Sequence, residues 1–492
     1  MRIPRRLDEI LPAAAMEKFL DVLQQPDISG RVREALHRVG LQDNSPLDKA
    51  KTAWQQARSW LDTLVDGASN TASGQVTLNA RGQLLSHEMP EIPLTPAVAY
   101  GFATAATHYQ IAADVDAKAD AAVEHLLGRH ASAWLISAAD ALRMLASAEG
   151  CRGGVVLSRV DAVRIIGLGD VHAMLSAGAV PLREIGASNG VSAEDWQAAL
   201  TGPGQIVVLS SPNSLTRDEA QVHRNQAIAA ARAAGAKVVE ILADGAVSPE
   251  LCDTYGFPDV RQRLDQGADV VVWPLHLLAG GPSGALVVGD AELISAVRRR
   301  AEATGVLLGG ARLVASTVAL QRGSLSQEAA TGALAQLLAN PENLRNRARR
   351  TAVQLTHMGE IGQATECEIQ SPLGPSPWNR YRLQSWGVRL LPKNSLEDLK
   401  RQLARGEAKL GCRLQAIYED NAILLNLRFI APEQDHELVQ VLSGGNDVGQ
   451  SEVSQGDASQ GVASQAVASQ GVASQGVASQ PSGGQSPGSL SG

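Results

Sequence analysis

The spacing of apolar residues changes three times along the chain. Within residues 1–74, apolar side chains recur at helical spacing, as at Leu7 and Leu11, and this predicts helices with one apolar face. Between residues 75 and 322, short apolar runs alternate with Ala-rich stretches such as residues 217–234. This alternation predicts an α/β fold with a mostly parallel, doubly wound sheet covered by helices.

Strands of this sheet are expected where runs of Val, Ile and Leu occur. We predict them at residues 133–136, 154–157, 205–209, 237–242, 269–273 and 285–288. Residues 323–442 differ, because helical stretches are followed by a hairpin-like pair of strands and a closing helix. These stretches are residues 328–339, 343–358, 414–418, 421–429 and 431–442. The pattern predicts a smaller C-terminal α+β domain.

Residues 443–492 repeat a pentapeptide close to Val-Ala-Ser-Gln-Gly and contain almost no bulky apolar side chains. Such a segment buries too little apolar area to offset the entropy of an ordered chain, so we predict a disordered tail. A tethering role and an inert flexible extension both remain open for it.

Charge and composition narrow the range of functions. The net charge of −8 and the pI near 5.7 argue against a dominant nucleic-acid surface. No apolar run approaches the roughly 20 residues of a membrane span, so we expect a cytoplasmic protein that does not enter a membrane. The four cysteines are scattered and lack metal-ligand spacing, so we expect no metal site.

Five stretches of sequence carry a resemblance to a known family. They begin Asn-Ala-Arg-Gly at Asn79, Val-Val-Leu-Ser-Arg at Val155, Ala-Gly-Ala-Val-Pro-Leu at Ala177, Gly-Ala-Asp-Val-Val at Gly267 and Glu-Asp-Asn-Ala-Ile-Leu-Leu at Glu419. In order and spacing they resemble bacterial selenocysteine synthase, the L-seryl-tRNA(Sec) selenium transferase family.

The resemblance implies a fold-type I architecture, the fold of many pyridoxal-phosphate (PLP) enzymes, with dimers as the smallest functional unit. It implies a helical N-terminal segment at 1–74 that contacts tRNA, a large domain at 75–322 and a small domain at 323–442, before the tail at 443–492. Residues 1–66 carry ten Lys and Arg and ten Asp and Glu. This neutral balance makes a tRNA contact doubtful.

Enzymes of this class hold PLP through a Schiff base to a lysine amine. The resemblance places that lysine at Leu277, or at His276 if the alignment shifts by one residue. Neither side chain forms a Schiff base, and no lysine lies between Lys237 and Lys393. The sequence therefore predicts no catalytic lysine.

The carboxylate that pairs with the pyridine nitrogen is also altered. The family's aspartate aligns with Ile241, and Glu240 beside it points to the opposite face of a strand. Asp244 follows three residues later. It either takes the role of the missing carboxylate or is a turn residue before Gly245.

The remaining family positions have both a functional and a structural interpretation. Ser137 either caps a helix or binds an anion there, although Asp140 would repel one. The cofactor-stacking histidine of the family aligns with Ser210, and Asn213 is retained. The predicted cofactor pocket thus consists of Ser137, Ser210, Asn213, Asp244 and His276. Two retained arginines, Arg159 and Arg428, either bind a substrate carboxylate or phosphate or form structural ion pairs and caps.

The losses fall on groups that carry chemistry, whereas glycines, prolines and apolar strands are kept. Our main hypothesis is a catalytically inactive or strongly diverged homologue that acts as a scaffold or binding protein. We expect it to form a homodimer or larger homo-oligomer, or to pair with an active paralogue, and to bind no cofactor. The alternative is a PLP-dependent transferase that converts seryl-tRNA to selenocysteyl-tRNA. A third hypothesis is a PLP-fold enzyme without a Schiff base. Whether the chain is an enzyme therefore stays open.

Overall fold

A computed structural model describes residues 76–128, 131–148, 151–178, 180–211, 214–323, 332–356, 361–375, 377–405, 413–419 and 421–442. The predicted N-terminal helices and the repeat tail lie outside the described residues, as does Asn213. Among the described helices, none is long and apolar enough to span a bilayer.

Most of the strands are short, and the two longest lie in the C-terminal region. In chain order they are β1 (Thr77–Asn79), β2 (Ala131–Leu135), β3 (Gly154–Ser158), β4 (Arg164–Ile165), β5 (Gly169–Asp170), β6 (Leu182–Ile185), β7 (Gln205–Leu209), β8 (Lys237–Ile241), β9 (Val270–Pro274), β10 (Ala285–Gly289), β11 (Ile361–Pro372), β12 (Arg382–Pro392), β13 (Arg413–Gln415), β14 (Ile417–Tyr418) and β15 (Ile423–Asn426).

Helices separate most of the strands of the large region, and further helices belong to the C-terminal region. They are α1 (Pro96–Thr107), α2 (Ala112–Leu127), α3 (Ala138–Ala146), α4 (Val171–Ser176), α5 (Ala193–Ala199), α6 (Arg217–Ala234), α7 (Val260–Asp265), α8 (Ala291–Thr304), α9 (Gly310–Gly323), α10 (Gly332–Leu337), α11 (Pro341–Thr356), α12 (Leu396–Arg405) and α13 (Asp435–Leu442).

A seven-stranded sheet with the order β2-β10-β9-β8-β7-β3-β6 forms the centre of the large region. The pairs from β9 through β8, β7 and β3 to β6 are parallel. Strand β10 runs antiparallel to both of its neighbours, β2 and β9. The predicted mostly parallel α/β sheet is therefore confirmed.

Helices cover both faces of this sheet, as β9 shows. Val270 and Val272 belong to a core shared with α3 and α8, whereas Val271 and Trp273 belong to a second core shared with α2. Near the other end of the sheet, α5 and α6 pack on the same side as α2. Burial on both faces explains why these strands are continuous apolar runs in the sequence.

The ends of α6 show how local sequence sets an element. Thr216 caps the first turn in a reciprocal capping box with Glu219, and Gly235 ends the helix in the left-handed conformation at φ 71°. A hydroxyl at the N-cap and a glycine after the last turn are the residues that these positions favour. The predicted bounds of residues 217–234 match the helix.

The C-terminal region contains an antiparallel sheet with the order β11-β12-β15-β14. Helix α11 packs on it through Leu344, Ala348 and Leu355. The predicted hairpin corresponds to β14 and β15, whereas the two longest strands, β11 and β12, were not predicted. Strand β11 is an edge strand that is mostly exposed, so it lacks an apolar run.

Candidate functional site

The carboxyl ends of the parallel strands meet at one edge of the seven-stranded sheet. In open α/β sheets, ligands bind outside this edge. Here the segments that follow β2, β7, β8 and β9 carry Ser137, Ser210, Asp244 and His276. The fold thus brings to one edge the four members of the predicted pocket that the structure describes.

The two residues predicted to lie at the family's lysine position are closely packed. Leu277 is fully buried within the apolar core. The Nε2 atom of His276 lies 2.8 Å from the carbonyl oxygen of Gly167, to which it is placed to donate. Burial lowers the pKa of His276, so its ring is neutral at pH 7. Neither side chain offers an amine for a Schiff base.

The position of the family's aspartate is apolar. Ile241 is buried in the same core as Leu277. Glu240 points to the other face, where its carboxylate lies 2.9 Å from Nε of Arg224 and 3.6 Å from Nε of Arg263. The alternation of side chains along β8 thus removes the only carboxylate of this strand from the cofactor side.

Asp244 is fully buried and receives two neutral donors. The Ser211 hydroxyl donates to one carboxylate oxygen at 2.6 Å, and the Tyr381 phenol donates to the other at 2.7 Å. Burial, followed by the negative charge of Asp244, raises the pKa of Tyr381 well above its usual value. The phenol therefore stays protonated, and its ring stacks on Phe257 at 4.0 Å between centroids.

The N-terminus of α3 is occupied by the chain's own carboxylate. The Ser137 hydroxyl accepts from the backbone N–H of Asp140 at 3.0 Å and donates to its Oδ2 at 2.5 Å. Arg143 also binds the Asp140 carboxylate. A helix N-terminus attracts anions, but a phosphate at this one would meet the charge of Asp140. Ser137 thus acts as a helix cap, and its contact with a cofactor stays a prediction.

A buried Ser-Asp-His cluster lies beside Ser210 and was not predicted. Asp161 accepts from Nε2 of His223 at 2.8 Å, from the Ser158 hydroxyl at 2.5 Å and from the backbone N–H of Ser210 at 2.8 Å. In a catalytic triad the histidine accepts the serine proton. Here Ser158 and His223 both donate to Asp161, so the cluster does not activate a serine. Asp161 and His223 lie far apart in the sequence, and only the fold brings them together.

The two predicted substrate arginines lie in different environments. Arg159 is on the surface, where its Nε lies 3.4 Å from a carboxylate oxygen of Glu184. Arg428 is buried, burial lowers its pKa, and it donates to three backbone carbonyl oxygens. Those oxygens belong to Gln336, Leu337 and Gln384. The substrate roles of both arginines stay predictions.

The described residues do not fit PLP held through a Schiff base. The described ranges contain four lysines, which are Lys118, Lys237, Lys393 and Lys400. Lys237 begins β8, at the sheet edge opposite the site, and binds Asp269 and Asp290 there. Lys118 belongs to α2, and the other two belong to the C-terminal region. No group of three His, Cys, Asp or Glu residues within the described ranges could hold a metal ion.

Comparisons with known proteins identify relatives over most of the chain. The family model of L-seryl-tRNA selenium transferase (SelA) matches residues 107–431. The L-seryl-tRNA(Sec) selenium transferase of Moorella thermoacetica is 25% identical over 395 residues, which cover 76% of this chain and 83% of the relative. The enzyme of the same name from Desulfovibrio desulfuricans is 27% identical over 388 residues, covering 75% and 81%.

Among solved structures, D-glucosaminate-6-phosphate ammonia-lyase has a TM-score of 0.53 and 14% identity, covering 75% of this chain and 95% of that one. At this identity the similarity concerns the fold alone. Together with the observed strand order, it confirms the expected fold-type I architecture.

Proposed function

The chain belongs to the L-seryl-tRNA selenium transferase family, and we propose that within this family it is a catalytically inactive or strongly diverged homologue that acts as a scaffold or binding protein. One observation carries this proposal. The resemblance places the family's lysine at Leu277 or His276, the first inside an apolar core and the second bound to a backbone carbonyl oxygen. A Schiff base needs an amine at this point.

The surroundings of Leu277 support the same proposal. Ile241 extends the apolar core across the position of the pyridine-nitrogen carboxylate. Asp244, the candidate substitute, is fully buried and bound by Ser211 and Tyr381. Replacing either donor by the cofactor would leave a buried hydroxyl without its partner, which costs free energy. We therefore propose that the protein carries no PLP.

We further propose that the protein is a cytoplasmic homodimer or larger homo-oligomer. Helix α1 and the turn after it expose Tyr100, Phe102, Tyr109 and Ile111, with Tyr100 at 74% and Ile111 at 69%. Large apolar side chains exposed to this degree favour association with another protein surface. A second copy, or an active paralogue with the same fold, is a suitable partner.

The alternative function is that of the relatives, the selenium transfer that converts seryl-tRNA to selenocysteyl-tRNA. Family membership and the names of the two relatives favour it. It requires a lysine amine for the Schiff base, and neither His276 nor Leu277 supplies one.

The test is the reaction of the full-length protein with PLP. We expect no aldimine absorption band after mixing, and no site-specific mass adduct after borohydride reduction. The Moorella thermoacetica relative, treated in parallel, is the comparison. A stoichiometric adduct on one lysine would overturn the proposal and place the transferase function first.

A further inference from the structure

A polar cavity of 420 Å³ opens on the side of the sheet that Glu240 faces. Helices α6 and α7 line it from two sides, and the segment from Cys252 to Asp259 and the side chains of Arg380 and Tyr381 complete it. Ser210 and Asp244 also line it. The cavity therefore shares two residues with the predicted cofactor pocket, and the rest of its lining lies outside that pocket.

One face of α6 supplies hydrogen-bond donors to this cavity. Arg217, Gln221 and Arg224 line it and follow the i, i+4, i+7 spacing that places side chains on one helix face. Arg263 and Gln266 line it from α7 and the residue after that helix. Guanidinium groups in such an arrangement suit the oxygens of a carboxylate or phosphate.

At Glu240, two arginines of the cavity lining lie against a single carboxylate. Arg224 and Arg263 share one carboxylate, that of Glu240. Arg224 is buried, and its Nη1 atom has no hydrogen-bond partner among the described residues. Burial, the largest cause, and the neighbouring charge of Arg263 lower the pKa of Arg224, although Glu240 opposes this shift. A bound anion would stabilise this guanidinium pair.

Arg217 is another cation of the cavity lining. The Arg217 side chain is exposed and lies against the backbone of Gly256, where a Cβ would come within 2.3 Å of the guanidinium. Arg217 forms no ion pair with a carboxylate in the described ranges.

Besides Glu240, five aspartates line the cavity, namely Asp161, Asp218, Asp244, Asp253 and Asp259. Three of them have donors of their own, with His223 bound to Asp161, Tyr381 to Asp244 and Arg261 to Asp259. The acidic groups disfavour a polyanion.

We propose that this cavity is a binding site for a small anion with a carboxylate or phosphate group, held by Arg217, Arg224 and Arg263. Its volume suits a metabolite-sized ligand. The inference goes beyond the proposed function, because none of the three arginines belongs to the predicted cofactor pocket. The result of the reaction with PLP does not decide this inference, and a test of anion binding does not decide whether the protein carries PLP.

Calorimetric titration of the full-length protein tests the site, with inorganic phosphate and malonate as probes at constant ionic strength. We expect saturable binding of at least one probe, and the probe that binds tells a phosphate site from a carboxylate site. The variant Arg217→Gln should weaken that binding about tenfold, the effect of losing one charge-assisted hydrogen bond of about 1.4 kcal/mol. Because Arg217 is exposed, this variant should keep its fold, which circular dichroism checks.

Arg350→Gln is the matched control, since Arg350 is an exposed arginine of α11 far from the cavity lining. It should bind the probe as the parent protein does. Absence of saturable binding of both probes would overturn the inference. So would equal loss in the Arg217 and Arg350 variants, because that would indicate unspecific attraction to surface charge.

Discussion

Glu240 and Ile241 are neighbours on β8, yet their side chains face opposite sides of the sheet. The surroundings of Glu240 are polar, and those of Ile241 are apolar. Ile241 lies with Leu277 in an apolar core on the side where the family's cofactor is expected. Glu240 lies between two arginines and lines a polar cavity. Under the proposed function, the loss of the cofactor-binding groups is confined to the side that Ile241 faces. That side now contributes packing, and the polar side is where we expect binding.

The largest effect should come from the polar side, on replacing Glu240 by Gln. This change keeps the shape of the side chain but leaves Arg224 and Arg263 without their shared carboxylate. Breaking a buried ion pair by removing one partner costs about 3 kcal/mol or more. We expect a loss of that size in the free energy of unfolding, measured by urea denaturation.

The control for this variant is Glu366→Gln, which removes the carboxylate partner of the exposed Arg349. Pairs at the surface contribute little to stability, so its loss should be clearly smaller. Equal losses in the two variants would contradict a buried, structurally required charge cluster beside the cavity.

A smaller loss of stability is expected on removing the hydrogen bond from Tyr381 to Asp244. The variant Tyr381→Phe leaves one oxygen of a buried carboxylate without its donor, which costs about 2 kcal/mol. Thermal denaturation measures the loss. Tyr418→Phe, at a half-buried tyrosine beside Lys400, should change the midpoint much less. A Tyr381 variant as stable as the parent would mean that Asp244 is not held in this way.

The smallest effect concerns His276 and pH. Burial lowers its pKa in the folded protein below 6.5, whereas its unfolded value stays near 6.5. Between these two values the unfolded chain binds more protons, so His276 makes stability fall as pH drops below 6.5. The slope reaches at most about 1.4 kcal/mol per pH unit. His276→Asn should flatten the profile between pH 5 and 7, measured by urea denaturation, and an unchanged profile would contradict a buried neutral ring.

Features set by neighbouring residues could be predicted from the sequence, whereas features that depend on distant residues could not. The bounds of α6 follow from Thr216, Glu219 and Gly235, all within or next to the helix, and β7 follows from an uninterrupted apolar run. Five retained motifs were enough to predict the fold class. Strand β11 could not be predicted, because an exposed edge strand needs no apolar pattern.

The site was predictable only in part. The apolar residues at the lysine and aspartate positions follow from the family motifs, and so does the position of Glu240 on the opposite face. The partners of the polar groups do not, because Asp161 binds His223 and Asp244 binds Tyr381 across long sequence separations. No local pattern marks such pairs, since each forms only when separate elements pack together.

The central claim is that this member of the family does not perform selenium transfer. The most direct measurement is the conversion of seryl-tRNA to selenocysteyl-tRNA by the full-length protein with PLP and a selenium donor, beside the Moorella thermoacetica relative as the active comparison. We predict product from the relative and none above background from this protein. Product formed by this protein under the same conditions would contradict the claim.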